Sequence, residues 1–422
     1  MVSAMTEIGL FKNINVVLGV TGGIAAYKVV DLTSRLVKAG AIVDVIMTEA
    51  ATKFVGPITF QALTHRPVVT EMFSLLQETE IGHVSLGKQA NIMIVAPATA
   101  NTLAKLAHGL SDNMLTTTAL ACRGPILLAP AMETGMWKNS ATQTNSALLQ
   151  ERGMHIIGPE EGRLASGADG LGRMAESDEI FEACRWVLGR NGTLAGCQVL
   201  VTAGGTWEPF DPVRFIGNRS SGKMGFALAK IARDRGGDVT LIHAPTALSP
   251  TYGVQSIPVE TALQMHDAVM DKISATDVLL MAAAVADYRP ALLAEQKIKK
   301  SEGSRFVELV RNPDILQAVA NRRETNNRPR LVVGFAAETE DLLENARNKL
   351  AKKRLDLMVA NDVSATDSGF AVDTNKVTLL DTKGEVTPLP LLSKNEVAER
   401  IIDAVGAMLK QKDKMGTIKT RQ

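Results

Sequence analysis

Ile14–Gly40 reads INVVLGVTGGIAAYKVVDLTSRLVKAG, and its two parts follow different periodicities. Ile14 to Val20 is an apolar, β-branched run that ends in Thr21-Gly22-Gly23, after which Tyr27, Val30, Leu32 and Leu36 recur at helical spacing as far as Gly40. That is a strand, a glycine turn and a helix. The cadence returns at Ile42–Met47, Ile92–Ala96, Ile126–Ala129 and His155–Gly158, each run short, apolar on both faces and followed by small residues. Strands of this kind belong in a parallel sheet covered by helices. A second cycle follows Asn191-Gly192, with strands expected at Gln198–Thr202, Asp238–Ile242, Val278–Ala282, Leu331–Phe335 and Leu357–Ala360. The fold class is therefore α/β, as two doubly wound parallel-sheet (Rossmann-like) domains covering 1–190 and 191–422. The end differs: Lys376–Leu380 and Glu385–Leu389 flank Asp381-Thr382-Lys383-Gly384 as a hairpin, a last helix runs through Glu396 and Val405, and the basic tail after Leu409 is expected to fray.

Bulk properties narrow the function. The 422 residues suit two domains, and 46 basic against 45 acidic side chains leave a net charge of +1. No global field draws such a chain to nucleic acid or an anionic membrane, so any phosphate it binds must be held locally. The three cysteines, Cys122, Cys184 and Cys197, have no C-x-x-C spacing, which argues against a disulfide framework or structural zinc and for a reducing cytoplasm. Neither a signal-peptide pattern nor a membrane-length apolar run is present, so a soluble, unprocessed protein is expected.

In the first half, Thr21-Gly22-Gly23-Ile24-Ala25-Ala26 lies where a strand feeds a helix, a place where backbone N–H groups and the helix dipole hold a phosphate. Alone this is weak, because glycine after a strand is commonly just a turn and the G-x-G-x-x-G pattern is absent. Two more loops, Ala96–Asn101 and Ala129–Met132, also follow strands, which places all three at the sheet's carboxyl edge. The motifs TGGIAAYK, MTEAA, GHVSLG, APATANTLAKLAHGLSDN, APAM, MWKNSATQ and GRM, between residues 14 and 176, resemble the flavin-dependent cysteine decarboxylases. The resemblance implies FMN bound by Gly22, Gly23, Ile24, Ala25, Thr48, Ala98, Thr99, Asn101 and Met132, a catalytic histidine at His83, and a trimer.

Two departures bear on the chemistry of that half. Where the family reads PAMN, this chain has Pro130-Ala131-Met132-Glu133, so a carboxylate replaces the amide that meets the substrate carboxylate, and like charges disfavour binding. Where coenzyme A enzymes of the family have A-C-G, this chain has Ala165-Ser166-Gly167. The resemblance makes that cysteine the proton donor when reduced flavin returns hydride to the enethiol intermediate. An alcohol is far less acidic than a thiol with a pKa of roughly 8.5, so the step is expected to fail or stall. Two readings stay open: an FMN-binding oligomerisation scaffold, or a changed reaction such as oxidative decarboxylation to an enethiol.

In the second half, Phe215–Gly225 reads FIGNRSSGKMG before an apolar-periodic helix. Gly217, Gly222 and Lys223 have P-loop spacing, but Met224 replaces the hydroxyl residue that holds magnesium there, so the NTPase reading is rejected. Met281–Tyr288 ends a strand in small residues that admit a flat base, with Asp287 at the strand mouth, and Lys349 and Lys353 are spaced i, i+4 on a helix. With AGGT, DPVR, AAAVADYRP, KIKK, NPDIL, VGFAAET and ANDV, residues 196 to 395 resemble the phosphopantothenate-cysteine ligases, Trp207 standing where arginine is expected. The resemblance implies that the 4′-phosphopantothenate carboxylate attacks CTP to give an acyl-cytidylate, from which the amine of cysteine displaces CMP. It assigns Asn218 to the acyl carbonyl and Lys297 to the reacting phosphate. Nucleotide contacts fall to Ser220, Ser221, Lys223, Met281, Ala282, Ala283, Asp287, Pro313, Asp314, Ile315, Leu316 and Phe335, and triphosphate neutralisation to Lys349 and Lys353. Magnesium is expected on the phosphates, with Asp287 the candidate protein contact. Flavin-domain trimers joined by ligase dimers, up to a dodecamer, are implied. The rivals are a specialised-metabolism paralogue with altered amide ligation or oxidative decarboxylation, and a flavin-binding scaffold without turnover.

Overall fold

The computed structural model describes residues 8–72, 82–299, 306–338, 342–362 and 373–419. Lys300, Thr339 and Val363 of the motifs above lie outside them. The chain divides into two compact units, Met1–Gly189 and Arg190–Gln422.

The first unit holds β1 (Asn15–Val20), β2 (Ile42–Met47), β3 (Ile92–Ala98), β4 (Ile126–Pro130) and β5 (His155–Ile156) in the order β2-β1-β3-β4-β5, all parallel. An order that reverses between β1 and β3 opens a crevice at the carboxyl ends of those strands. Side chains on both faces are buried: Val17, Met93 and Val95 pack with Leu103, Leu106, Leu115 and Leu149 from the helices Ala100–His108, Met114–Ala121 and Ser140–Glu151. Helices Ala26–Lys38 and Ser177–Gly189 pack on each other and against β3. The β5 strand is shorter than expected, since Gly158 turns the chain at φ 74°. An antiparallel hairpin, β6 (Glu160–Arg163) with β7 (Asp169–Arg173), follows.

The second unit contains β8 (Gln198–Ala203), β9 (Trp207–Pro209), β10 (Phe215–Gly217), β11 (Asp238–His243), β12 (Val254–Pro258), β13 (Val278–Met281), β14 (Tyr288–Pro290), β15 (Leu309–Arg311), β16 (Leu331–Glu338), β17 (Leu357–Asp362), β18 (Thr374–Asn375), β19 (Val377–Asp381), β20 (Val386–Pro388) and β21 (Leu392–Ser393). Eight of them form one sheet, β12-β11-β8-β13-β16-β17-β19-β20. It is parallel as far as β17, after which β19 and β20 add the antiparallel hairpin at one edge. Val199 and Val201 join Phe226, Leu228, Ile231, Ile401 and Val405 on one face, whereas Leu200 joins Ile242, Val269, Val319 and Val332 on the other. Each such side chain contributes about 1.5–3 kcal/mol by leaving water. Period-2 alternation with both faces apolar is why these strands read as unbroken hydrophobic runs.

One expectation is corrected. The chain does not fray after Leu409: the last helix runs Lys394–Lys419. Lys412 Nζ reaches Asp356 Oδ1 at 2.8 Å and Asp413 pairs with Arg330. Lys412 and Asp413 thus have partners on the body of the domain, and those contacts carry the helix onward.

Candidate functional site

In the first unit the loops after β1, β2 and β3 meet. The Thr21 hydroxyl, 1% exposed, donates to the Pro97 carbonyl at 2.6 Å and accepts from Thr99 N–H at 3.2 Å. A Cβ at Gly22 would stand 2.3 Å from Ala50 Cβ, so only glycine lets the loops after β1 and β2 touch. Thr48 and Thr99 cap the helices that follow them, accepting from Ala51 N–H and Thr102 N–H. Helix starts carry N–H groups without intrahelical acceptors. Among the described residues, Gly22, Ile24 and Ala25 N–H have no backbone acceptor, which suits an anion at this edge. Asn101 is exposed in the first turn after Thr99, and Ala98 carries the next loop by accepting from Ala131 N–H at 3.1 Å.

Glu133 caps the short helix Thr134–Lys138, its Oε2 accepting from Gly135 N–H at 2.5 Å. The β6–β7 hairpin lies against the same loop: Met132 N–H donates to the Gly172 carbonyl, and a Cβ at Gly172 would fall 2.1 Å from Met132 O. Ser166 is exposed at the hairpin's turn, where Gly167 takes φ 87°. The two altered positions therefore belong to one packed substructure. His83 is half-buried in the first turn of helix Gly82–Gln89. That helix leads to Asn91, whose N–H bonds Asn15 O at the sheet's amino end, so its first turn points toward the carboxyl edge.

In the second unit a cavity of about 790 Å³ opens at the carboxyl edge of the large sheet. Its floor is Met281–Ala286, held by Ala283 N–H to Thr202 Oγ1, Ala284 N–H to Gly204 O and Ala286 N–H to Thr206 Oγ1. Asn218, Ser220, Ser221 and Lys223 line one wall ahead of helix Lys223–Asp234, which starts at Gly222 with φ 76°. Asn218 Nδ2 donates to Val285 O at 3.1 Å. Pro313–Leu316 lines the opposite wall with Lys349 and Lys353; Asp314 caps helix Ile315–Asn326 and pairs with Lys353. Asp287 and Phe335 complete the expected set. Trp207 stacks on Phe215, rings 4.2 Å apart and 8° from parallel, stiffening the β9–β10 pair.

Lys297 is the exception, being exposed and outside the cavity lining. Its neighbour Ile298 donates from N–H to Asp211 Oδ2 and accepts from Arg214. The Arg214 guanidinium beside Asp211 holds that carboxyl well below the usual range. Asp287 stands without a metal-binding cluster: among the described residues no group of three or more His, Cys, Asp or Glu side chains could hold an ion. The sequence reading missed Lys394 and Asn375, which also line the cavity. A lysine as the first helical residue opposes the helix dipole, and that was the available signal.

Such a pair of sites defines a flavoprotein-type domain followed by a pantothenate-metabolism domain. Residues 7–188 match the Flavoprotein family, and residues 194–409 match the DNA/pantothenate metabolism flavoprotein C-terminal domain. The chain belongs to the family of the coenzyme A biosynthesis bifunctional protein CoaBC. It is 46% identical to the Vibrio cholerae CoaBC over 92% of this chain and 97% of that one. It is 44% identical to the Bacillus subtilis CoaBC, over 95% and 99% of the two chains. Among solved structures, the C-terminal domain of a CoaBC aligns with 52% of this chain and 99% of its own at 40% identity and a TM-score of 0.45. A PPC decarboxylase cysteine-to-serine variant complexed with pantothenoylaminoethenethiol aligns with 41% and 97% at 31% identity and a TM-score of 0.38. No described helix is long and apolar enough to cross a membrane.

Proposed function

We propose that the second unit is a CTP-dependent phosphopantothenate-cysteine ligase of coenzyme A biosynthesis. The observation that supports this reading is that Asn218, the Met281–Ala283 backbone, Phe335 and the Lys349–Lys353 pair, distant in sequence, line one cavity. A carboxylate is a poor electrophile, so it must first acquire a leaving group. The substrate carboxylate attacks the α-phosphorus of CTP and pyrophosphate departs; the cysteine amine then attacks the acyl carbon, CMP departs and a proton is released. In this reading Asn218 orients the acyl carbonyl, the small-residue floor admits the cytosine ring, and the lysines neutralise phosphate charge as it shifts. Lys297 takes the reacting phosphate on the resemblance alone. Magnesium arrives on the phosphates, with Asp287 the nearest candidate contact.

The first unit binds FMN through the loops carrying Gly22, Gly23, Thr48, Thr99 and Asn101, in trimers that ligase dimers join within the cytoplasm. FMN supplies two-electron redox chemistry when bound. The protein's part is to orient the substrate and deliver a proton, and Ser166 is a poor acid for that delivery. The test is to incubate the purified protein with phosphopantothenate, CTP, magnesium and cysteine, following pyrophosphate, product mass and the flavin spectrum. A cysteinyl amide formed without carbon dioxide loss supports the reading; absence of pyrophosphate overturns it.

A further inference from the structure

The turn Phe210–Arg214 connects β9 to β10 and touches the strap that carries Lys297. Asp211 is the centre of that turn: its side chain is buried, and its Oδ1 accepts from Val213 N–H and Arg214 N–H, both at 2.9 Å. Those two bonds satisfy the turn by themselves. The other oxygen serves a segment far away in sequence. Oδ2 accepts from Arg214 Nε at 2.9 Å and from Ile298 N–H at 3.2 Å. Arg214 completes the grip, its Nη2 donating to the Ile298 carbonyl at 2.8 Å although half of its side chain faces water. A second tether holds the same strap, with Ala294 N–H donating to the Phe210 carbonyl at 3.1 Å.

Both polar backbone groups of Ile298 are therefore held, and the consequence falls on its neighbour. A peptide unit is planar, so the unit that Asp211 holds through Ile298 N–H also contains the Cα of Lys297, and fixing one fixes the other. The same turn runs on through β10, whose Ile216 and Gly217 pair with Glu208 and Trp207, into Asn218 at the wall of the cavity. One buried carboxylate thus ties together the two segments that carry Asn218 and Lys297. With both oxygens bonded, it specifies a single arrangement of its partners. We propose that Asp211 is a positioning residue of the ligase, holding the Lys297 strap against the turn that delivers Asn218, so that Lys297 serves the step in which pyrophosphate departs. The proposal rests on the reading of Lys297 as the group that meets the reacting phosphate.

Asp211→Asn isolates the strap, because the amide oxygen still accepts from Val213 and Arg214 N–H while its NH2 group sets a donor against Ile298 N–H. Pyrophosphate release in a single turnover of the full-length protein with CTP, magnesium and phosphopantothenate measures the first step. Adding cysteine to the acyl-cytidylate so formed measures the second, and thermal melting accompanies both. Asp211→Asn is expected to slow the first step about ten- to a hundredfold, the scale of a misplaced group, and to leave the second step within about twofold. Lys297→Ala slows the first step as well, and the double variant is expected to be no slower than the slower single one, since an absent lysine cannot be misplaced. Ile298→Pro deletes the N–H from the strap's side with Asp211 untouched, and is expected to show the same selective loss. An unchanged first step in Asp211→Asn, equal slowing of both steps, or losses that multiply in the double variant would overturn the positioning role. A first step untouched by Lys297→Ala would remove the role of Lys297 and the proposal with it, whereas a wild type that releases no pyrophosphate would overturn the ligase reading itself.

Discussion

Asn218 Nδ2 donates to the Val285 carbonyl across 3.1 Å, tying the loop ahead of helix Lys223–Asp234 to the small-residue floor after β13. A Cβ at the facing Gly205 would come within 2.4 Å of Asn218 O, so the loop sits directly on the β8 turn. Replacing Asn218 by Asp removes that donor and sets an oxygen against an oxygen. The variant is expected to lose about 10²–10³-fold in kcat for amide formation, the range for removing one donor to a developing oxyanion. Product mass and pyrophosphate release measure it, and unchanged turnover refutes the role.

Gly205→Ala probes the same contact without touching a polar group. The added methyl must push the Asn218 backbone away, which is expected to lower ligase turnover while costing about 1–3 kcal/mol of stability. Thermal melting alongside the turnover assay separates the two effects.

In the first unit, Glu133 spends one oxygen on the cap of helix Thr134–Lys138, and the hairpin carrying Ser166 packs against the same loop. Wild-type protein given phosphopantothenoylcysteine is expected to release no fully reduced decarboxylated thiol. The pair Glu133→Asn and Ser166→Cys, which restores an amide and a thiol acid, is expected to produce it, as judged by product mass. Full activity in the wild type would show that Ser166 is no barrier.

Asp356 is 9% exposed and serves three partners: Val332 N–H at 2.8 Å, Arg323 at 2.8 Å and Lys412 at 2.8 Å. Lys412→Ala leaves one cation in place and removes a half-exposed one, so about 1 kcal/mol of stability is expected to go. Asp356→Ala strands the arginine and the N–H together, for about 3 kcal/mol or more. Urea unfolding of both variants checks the ordering.

Burial, and then the neighbouring Lys223 ammonium, push Lys394 below a lysine's usual 10.5, against the pull of Asp373. Because the folded value lies below the unfolded one, the unfolded chain holds more protons between them, and stability contributed by this group rises with pH in that window. Urea unfolding followed as pH rises toward 10.5 is expected to show this gain in the wild type and not in Lys394→Met.

The sequence by itself determined the layered α/β architecture and the chemical class of the two carboxyl-edge regions. Strands such as β3 and β8 are buried on both faces, and burial leaves a continuous apolar run that needs no partner to be read. Small residues at strand ends likewise announce a close approach, as Gly22 and Gly205 show. β12 escaped, since it is a half-exposed edge strand without such a run. What only the tertiary structure decided is which distant charges meet: Lys223 with Asp373 and Lys394, Lys412 with Asp356, and Lys297 held outside the cavity. Along a chain a charged side chain reads the same in water as in a pocket, because its energy depends on neighbours that only folding supplies.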